Sequence, residues 1–229
     1  MKSTLLMLFA AGCACAQIPP AWSVSRVVVE QSTLQPAIDH QMVHGGKGSL
    51  HILPKKEPPA IPATVAQSVG NTFTLLQSIK ADKYRGQRIR LSGYLRAPKG
   101  ATGSLWLRVD GNQGVLGLAN GGTSAYAMAH VVRNNPNWER TDQVVDVPAD
   151  QAVGIAFGVV VNGLGEVWAD DLKLEVVGKD VALTGLSARE LEQINQNVHP
   201  TREQIALRLH TYEKSPLEPH NLGFEEEKQ

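Results

Sequence analysis

Cationic and aromatic side chains alternate with aliphatic ones in two stretches of this chain, 88–96 and 104–110. A period of two is typical of a β-strand with one face in the core, so the polar set of each stretch points away from the core. Aromatic rings stack on the apolar faces of sugars, and guanidinium groups donate hydrogen bonds to hydroxyls or carboxylates. We therefore predict a carbohydrate-binding face made of Arg88, Arg90, Tyr94, Arg96, Trp106 and Arg108. The alternative is ordinary surface, because any solvated strand alternates in this way and a sandwich has two outer surfaces.

A third alternating stretch, 152–161, has large apolar residues on one side and Gly154, Ala156 and Gly158 on the other. The large residues are expected to face the core. The small ones are expected to leave a nearly bare, shallow floor beside the predicted binding face, a shape that suits a flat ligand.

Residue patterns that would support catalysis are weak. Asp170 and Asp171 are adjacent on a predicted strand, so their carboxylates point to opposite faces and do not flank one scissile bond. The sequence has no Gly-x-Ser-x-Gly nucleophile elbow, and both cysteines lie near the N-terminus, at Cys13 and Cys15. We therefore predict a protein that is not an enzyme, with a hydrolase as the least favoured alternative.

The composition is typical of a globular chain with one sizeable core. The 229 residues carry 22 lysines and arginines against 22 aspartates and glutamates, with 42% hydrophobic residues and a pI near 7.1. A chain disordered throughout is excluded. Because there is no basic excess, we expect neither nucleic acid nor an anionic membrane surface as the main partner.

The first sixteen residues have the features of an export signal. Lys2 precedes an apolar run from Leu5 to Ala11, which is too short to span a bilayer. Ala14-Cys15-Ala16 fits cleavage before Gln17 and predicts a periplasmic or secreted protein. Alternatively, Ala10–Cys13 is similar to a lipobox, in which case acylated Cys13 anchors the protein to a membrane. Either form of processing leaves a mature domain without a disulfide.

Short alternating segments separated by Gly, Pro, Asn and Asp predict an all-β body over residues 17–178. The pattern then changes: Ser187–Glu190 forms a capping box, and 201–214 carries apolar residues at helical spacing. Residues 179–229 are therefore expected to form a helical extension and an acidic tail. We predict a jelly-roll β-sandwich with a short α-helical C-terminal extension.

Several segments share the spacing of one known domain type: 75–94, 105–110, 138–140, 145–148, 155–158 and 167–172, the last with the sequence Val-Trp-Ala-Asp-Asp-Leu. Together they resemble a bacterial galactose-binding-like jelly-roll domain. Such β-sandwich modules are attached to secreted hydrolases and, in other chains, to bacterial regulators. The resemblance extends from about Trp22 to Val177 and concerns fold more than function.

The resemblance also implies a structural calcium ion. Modules of this kind often hold Ca²⁺ with an inward-pointing acid and loop carbonyls, which here are Asp170 and the loop His44–Ser49. The alternative is that Asp170 accepts hydrogen bonds within a turn.

The sequence differs from this domain type at two places. Its members usually begin with a segment similar to Asn-Leu-Asp-Phe-Glu, but such a segment stands at the C-terminus of this chain, at Asn221–Glu225. It either closes the sandwich as a displaced strand or is the relic of a truncated second module. Members also tend to carry an aromatic and an acidic residue where this chain has 118–122. This difference weakens the case for a binding loop at the same place in this chain.

The sequence thus predicts an exported, non-catalytic module that binds a glycan or polysaccharide. The alternative is a structural or protein-interaction module that docks on another protein through its C-terminal extension.

Overall fold

The computed structural model describes residues 18–24, 34–55, 72–120, 130–197 and 200–226. The predicted export signal, with Cys13 and Cys15, lies outside these ranges, so export and acylation remain predictions. In the described part of the chain, neither helix is long and apolar enough to cross a bilayer.

Nine strands and then two short helices follow one another along the described residues. The strands are β1 (Ser23–Val24), β2 (Leu34–Asp39), β3 (Ser49–Pro54), β4 (Thr72–Lys80), β5 (Arg88–Gly111), β6 (Val115–Asn120), β7 (Val131–Asp146), β8 (Ala152–Gly163) and β9 (Val167–Val177). The helices are α1 (Ala188–Asn197) and α2 (Arg202–Lys214). The predicted all-β fold with a short helical C-terminal extension is confirmed.

The long strand β5 takes part in two layers. Its first half, 88–96, pairs with β9 and with the second half of β7. Its second half, 101–111, pairs with β8 and, near its end, with β6. The sheet therefore curls at 97–100, and its strand order is β1-β4-β8-β5-β9-β3-β2. We call the layer formed by β1, β4, β8, β6 and the second half of β5 the β8 layer. The β9 layer is formed by β2, β3, β9, the second half of β7 and the first half of β5.

The aliphatic residues of both halves of β5 fill the space between the layers. Those of the first half and those of the second half belong to one hydrophobic cluster and are fully buried: Ile89, Leu91, Leu95, Leu105, Leu107 and Val109. Burial of these side chains is the dominant favourable contribution to the sandwich. The predicted strand periodicity is therefore correct in both halves.

The C-terminal segment Asn221–Glu225 closes one end of the core. The ring of Phe224 is fully buried and stacks on Trp22 with a centroid distance of 5.1 Å. The indole N–H of Trp22 donates to the carbonyl of Asn221 at 2.9 Å, and the backbone N–H of Leu172 donates to the carbonyl of Leu222 at 3.1 Å. The segment thus completes this chain's own sandwich, as a turn and not as the displaced strand that was one expectation.

Candidate functional site

The candidate site is a groove between the outer surface of the β8 layer and the two C-terminal helices. A pocket of about 280 Å³ is lined by an aromatic ring, two guanidinium groups and two side-chain amides, which belong to Trp106, Arg108, Arg208, Gln113 and Asn195. A polar cleft of about 600 Å³ adjoins it, shares Gln113, Gly114 and Asn195, and adds Asn112, Asp150 and Gln151. The volume of the cleft lies in the range of small-molecule sites, which also carry a few converging polar groups.

Helix α1 is fixed against β6 by a side-chain amide. The carbonyl oxygen of Asn195 accepts from the backbone N–H of Val115 at 2.9 Å, and its amide nitrogen donates to the Val115 carbonyl at 2.9 Å. At the other end of the helix, the Glu190 carboxylate accepts from the backbone N–H of Ser187 at 2.8 Å, which completes the predicted capping box. These contacts hold one wall of the pocket in place.

Helix α2 is fixed against the β8 layer through Asp110, a buried carboxylate near the end of β5. Asp110 accepts from Nε and Nη2 of Arg108 at 3.0 and 2.8 Å, and from the hydroxyl of Tyr212. Nη1 of Arg208 lies farther away, at 3.4 Å from the second oxygen of Asp110. Two cations that line the pocket therefore share one buried carboxylate.

The ionisation states follow from this arrangement. Burial and the adjacent Asp110 carboxylate raise the pKa of Tyr212, so its hydroxyl remains protonated. Burial works against ionisation of Arg108, but the charge of Asp110 and the contacts with Asp110 and Tyr212 together raise the pKa of Arg108. By formal charge, two arginines and one aspartate give the cluster an excess of one positive charge.

Three buried polar atoms around the groove have no hydrogen-bond partner among the described residues. Two are Nε and Nη2 of Arg208, and the third is Oδ1 of Asn120, the cross-strand neighbour of Trp106. Buried polar groups are normally paired, so such atoms need an explanation.

The six residues predicted to form one binding face do not share one surface, because β5 bends between them. Trp106 and Arg108 line the pocket on the β8 layer. The other four project from the first half of β5, on the β9 layer: Arg88, Arg90, Tyr94 and Arg96. A period of two distinguishes the core side of a strand from its outer side, but not one layer from the other.

The four residues on the β9 layer contact other residues of that layer and its loops. The guanidinium of Arg88 binds both oxygens of Asp146 at 2.9 and 3.0 Å, and Arg90 binds Glu175 at 2.7 Å. Tyr94 stacks on His44 with a centroid distance of 3.6 Å, and Arg96 lies 4.7 Å from the ring centre of Trp168. These contacts hold together strands and loops, and none of the four lines the groove.

The floor predicted on β8 lies beside Trp106 and Arg108, but it is not bare. Gly158 and Ala156 pair with those two residues, and Gly154 pairs with Asp110. The ring of Tyr212 lies over Gly154, and Ala156 is buried. The expectation of an open floor was wrong because helix α2 packs on this part of the sheet.

The surroundings of Asp170 do not fit the predicted calcium site. Asp170 is buried; Oδ2 accepts from the backbone N–H groups of His44 and Gly45 at 2.8 and 3.1 Å, and Oδ1 accepts from Asp171 at 2.7 Å. Calcium is bound by oxygen ligands, whereas here both oxygens of Asp170 accept backbone N–H groups. The arrangement fits the alternative, an acid that anchors a loop.

Sequence reasoning did not assign Asp110, Arg208 and Tyr212 to the site. Asp110 belongs to the same alternating set as Trp106 and Arg108, which was a usable signal. Arg208 and Tyr212 are four residues apart and so share one helix face, but nothing in the sequence indicates which surface that face covers.

No family model matches the chain. A curated relative, the HTH-type transcriptional regulator YbfP of Bacillus subtilis (strain 168), is 36% identical over 152 residues, which are 65% of this chain and 46% of that protein. The chain therefore spans about half the length of the curated relative that it matches.

The similar solved structures include several carbohydrate-binding modules. The C-terminal family 22 carbohydrate binding module of a Clostridium thermocellum protein is 12% identical, with 71% of this chain and 89% of that chain covered and a TM-score of 0.45. The xylan-binding domain CBM22-1 of Paenibacillus barcinonensis is 12% identical, with 69% of this chain and 86% of that chain covered and a TM-score of 0.44. At this identity the likeness concerns the fold alone.

Proposed function

We propose that this chain is a non-catalytic domain that binds carbohydrate in the groove between the β8 layer and the C-terminal helices. The observation that carries the proposal is the position of Trp106 in a pocket whose other polar walls are guanidinium and amide groups. A sugar needs this combination, because its ring has an apolar face and its edge carries hydroxyls.

In this proposal the indole of Trp106 packs against the face of one sugar ring. Arg108 holds the indole in place from one side, because its Cζ lies 5.1 Å from the centre of the indole. The hydroxyls then face Gln113 and, in the adjoining cleft, Asn112 and Gln151. Because the cleft and the pocket share a wall, the groove has room for more than one sugar residue.

The charge distribution supports binding without catalysis. Glycoside hydrolysis needs two carboxyl groups on opposite sides of the scissile bond. Asp110 is buried and paired with two arginines and a tyrosine, and Asp150 is the one carboxylate among the described residues that line the groove. Export to the periplasm or the cell exterior belongs to the proposal and rests on residues 1–16 alone.

Affinity electrophoresis through gels that contain neutral and acidic polysaccharides tests the proposal. Retardation by at least one polymer, lost on adding an excess of its oligosaccharide, is the expected result. Equal mobility in every gel contradicts carbohydrate binding and favours the protein-interaction alternative.

That alternative requires the extension to bind another protein. In the structure its Tyr212 and Phe224 are buried against the chain's own sandwich, so docking through them would require the extension to leave it. The large apolar residues that stay exposed in the described part of the extension are three leucines, Leu183, Leu207 and Leu217. We therefore favour carbohydrate binding.

A further inference from the structure

We propose that the groove selects ligands that carry a carboxylate, such as uronic acid residues, and that Arg208 of helix α2 recognises this group. The inference rests on the proposed function and specifies its ligand class. It also makes the helical extension a part of the binding site.

The Nε–Nη2 edge of Arg208 is the first observation. This edge of a guanidinium presents two parallel donors that match the two oxygens of a carboxylate. Arg88 uses the same edge to bind both oxygens of Asp146, and Arg90 uses it to bind Glu175. In Arg208 the same two atoms are buried and have no partner among the described residues.

The second observation is the charge of the surroundings. Arg108 and Arg208 share Asp110, and Tyr212 contributes no negative charge because its hydroxyl remains protonated. None of the described residues that line the smaller pocket carries a carboxylate. An anionic ligand would therefore balance the excess positive charge, whereas a cation would increase it.

The third observation concerns how the ligand reaches Arg208. Arg208 lines the pocket, although its two unpaired atoms are closed to solvent. Its contact with Asp110, at 3.4 Å, is longer than the 2.7–2.9 Å of strong charge-assisted hydrogen bonds. When the guanidinium rotates toward the pocket, it loses its weak contact with Asp110 and gains a bidentate contact with the ligand carboxylate.

The resulting arrangement places two parts of one sugar on two elements of the fold. The ring packs on Trp106 of β5, and the carboxylate binds Arg208 of α2. Because leaving buried donors unpaired is costly, a neutral sugar in the same position binds more weakly.

The experiment compares each acidic polymer with its own neutral form. Polygalacturonate, alginate and hyaluronate are each paired with their methyl esters, and apparent dissociation constants come from affinity electrophoresis of the full protein. We expect the carboxylate form of at least one pair to bind about 10- to 100-fold more tightly than its ester. Arg208→Gln should remove this difference between the acid and the ester.

Two further variants complete the design. Arg208→Lys keeps the charge but lacks the paired donors and should recover only part of the preference. Arg202→Gln removes an exposed charge from the first turn of the same helix and should leave the preference intact. A melting temperature for each variant shows that it is folded.

The outcomes are distinguishable. Equal binding of acid and ester by the unaltered protein overturns the inference while carbohydrate binding stands. A preference that survives in both Arg208 variants overturns the role of Arg208. Failure to bind any polymer, in either form, overturns the inference together with the proposed function.

Discussion

The ring of Tyr212 lies over Gly154, so close that a Cβ atom on residue 154 would be 2.0 Å from Cδ1 of the ring. Only glycine leaves room for this approach of helix α2 to strand β8. The hydroxyl of the same tyrosine reaches the buried Asp110. One side chain thus joins the extension to the sheet by packing and by a hydrogen bond.

Gly154→Ala should therefore loosen the extension. We expect it to lower the free energy of unfolding by about 1–3 kcal/mol, as overpacking does, when measured by urea denaturation. In a Tyr212→Ala background the same substitution should cost much less, because the ring that it meets is gone. Equal costs in both backgrounds would show that the ring does not lie over this glycine.

The C-terminal segment is expected to stabilise the whole sandwich. Phe224→Ala removes a fully buried ring and should lower the free energy of unfolding by about 3–5 kcal/mol. Leu217→Ala, at an exposed position of the same extension, is the matched control and should change it little. If the two variants unfold at the same urea concentration, the segment is not part of the core.

Acid stability should depend on Asp146. Its hydrogen bonds to Arg88, and then to Lys179, hold the pKa of Asp146 near 2, below its usual value of 3.8. A carboxylate whose pKa is lowered by folding stabilises the folded state at any pH above its ordinary pKa. This stabilisation is lost as the pH falls from about 4 to about 2. Asp146→Asn should therefore lower the free energy of unfolding at pH 6. Between pH 4 and pH 2 that free energy should then fall less than it does in the unaltered protein. The exposed Asp150→Asn variant should decline as steeply as the unaltered protein, and an equally steep decline in Asp146→Asn would contradict the assignment.

The stability of the protein should be independent of calcium. Adding Ca²⁺ or a chelator should leave the melting temperature unchanged, because Asp170 is engaged by backbone N–H groups. Asp170→Ala should lower the melting temperature, since it leaves buried donors without an acceptor. A rise in melting temperature with Ca²⁺ that disappears in Asp170→Ala would restore the metal site.

The sequence predicted the core better than the site. The alternation of Ile89, Leu91 and Leu95 identified buried positions because a strand has only two faces. Pro98-Lys99-Gly100 separates the two alternating stretches, but alternation does not indicate which layer each stretch joins. Residues assigned to one face therefore separated onto two layers, with Trp106 on one and Tyr94 on the other.

The role of the extension was also beyond the sequence signal. Helical spacing predicted α2, but helical spacing does not identify the surface on which a helix packs. Arg208 became a candidate only when the structure placed it with Trp106 in one pocket, with two nitrogen atoms that have no partner in the described part of the chain.

The most direct test of carbohydrate binding compares two aromatic residues on opposite layers. Affinity electrophoresis of Trp106→Ala and Tyr94→Ala, in the polymer that most retards the unaltered protein, measures the contribution of each layer. We predict that Trp106→Ala migrates as if no polymer were present, because the pocket loses its aromatic wall, and that Tyr94→Ala is retarded as the unaltered protein is. Retained binding in Trp106→Ala together with lost binding in Tyr94→Ala would place the ligand on the β9 layer and contradict this account.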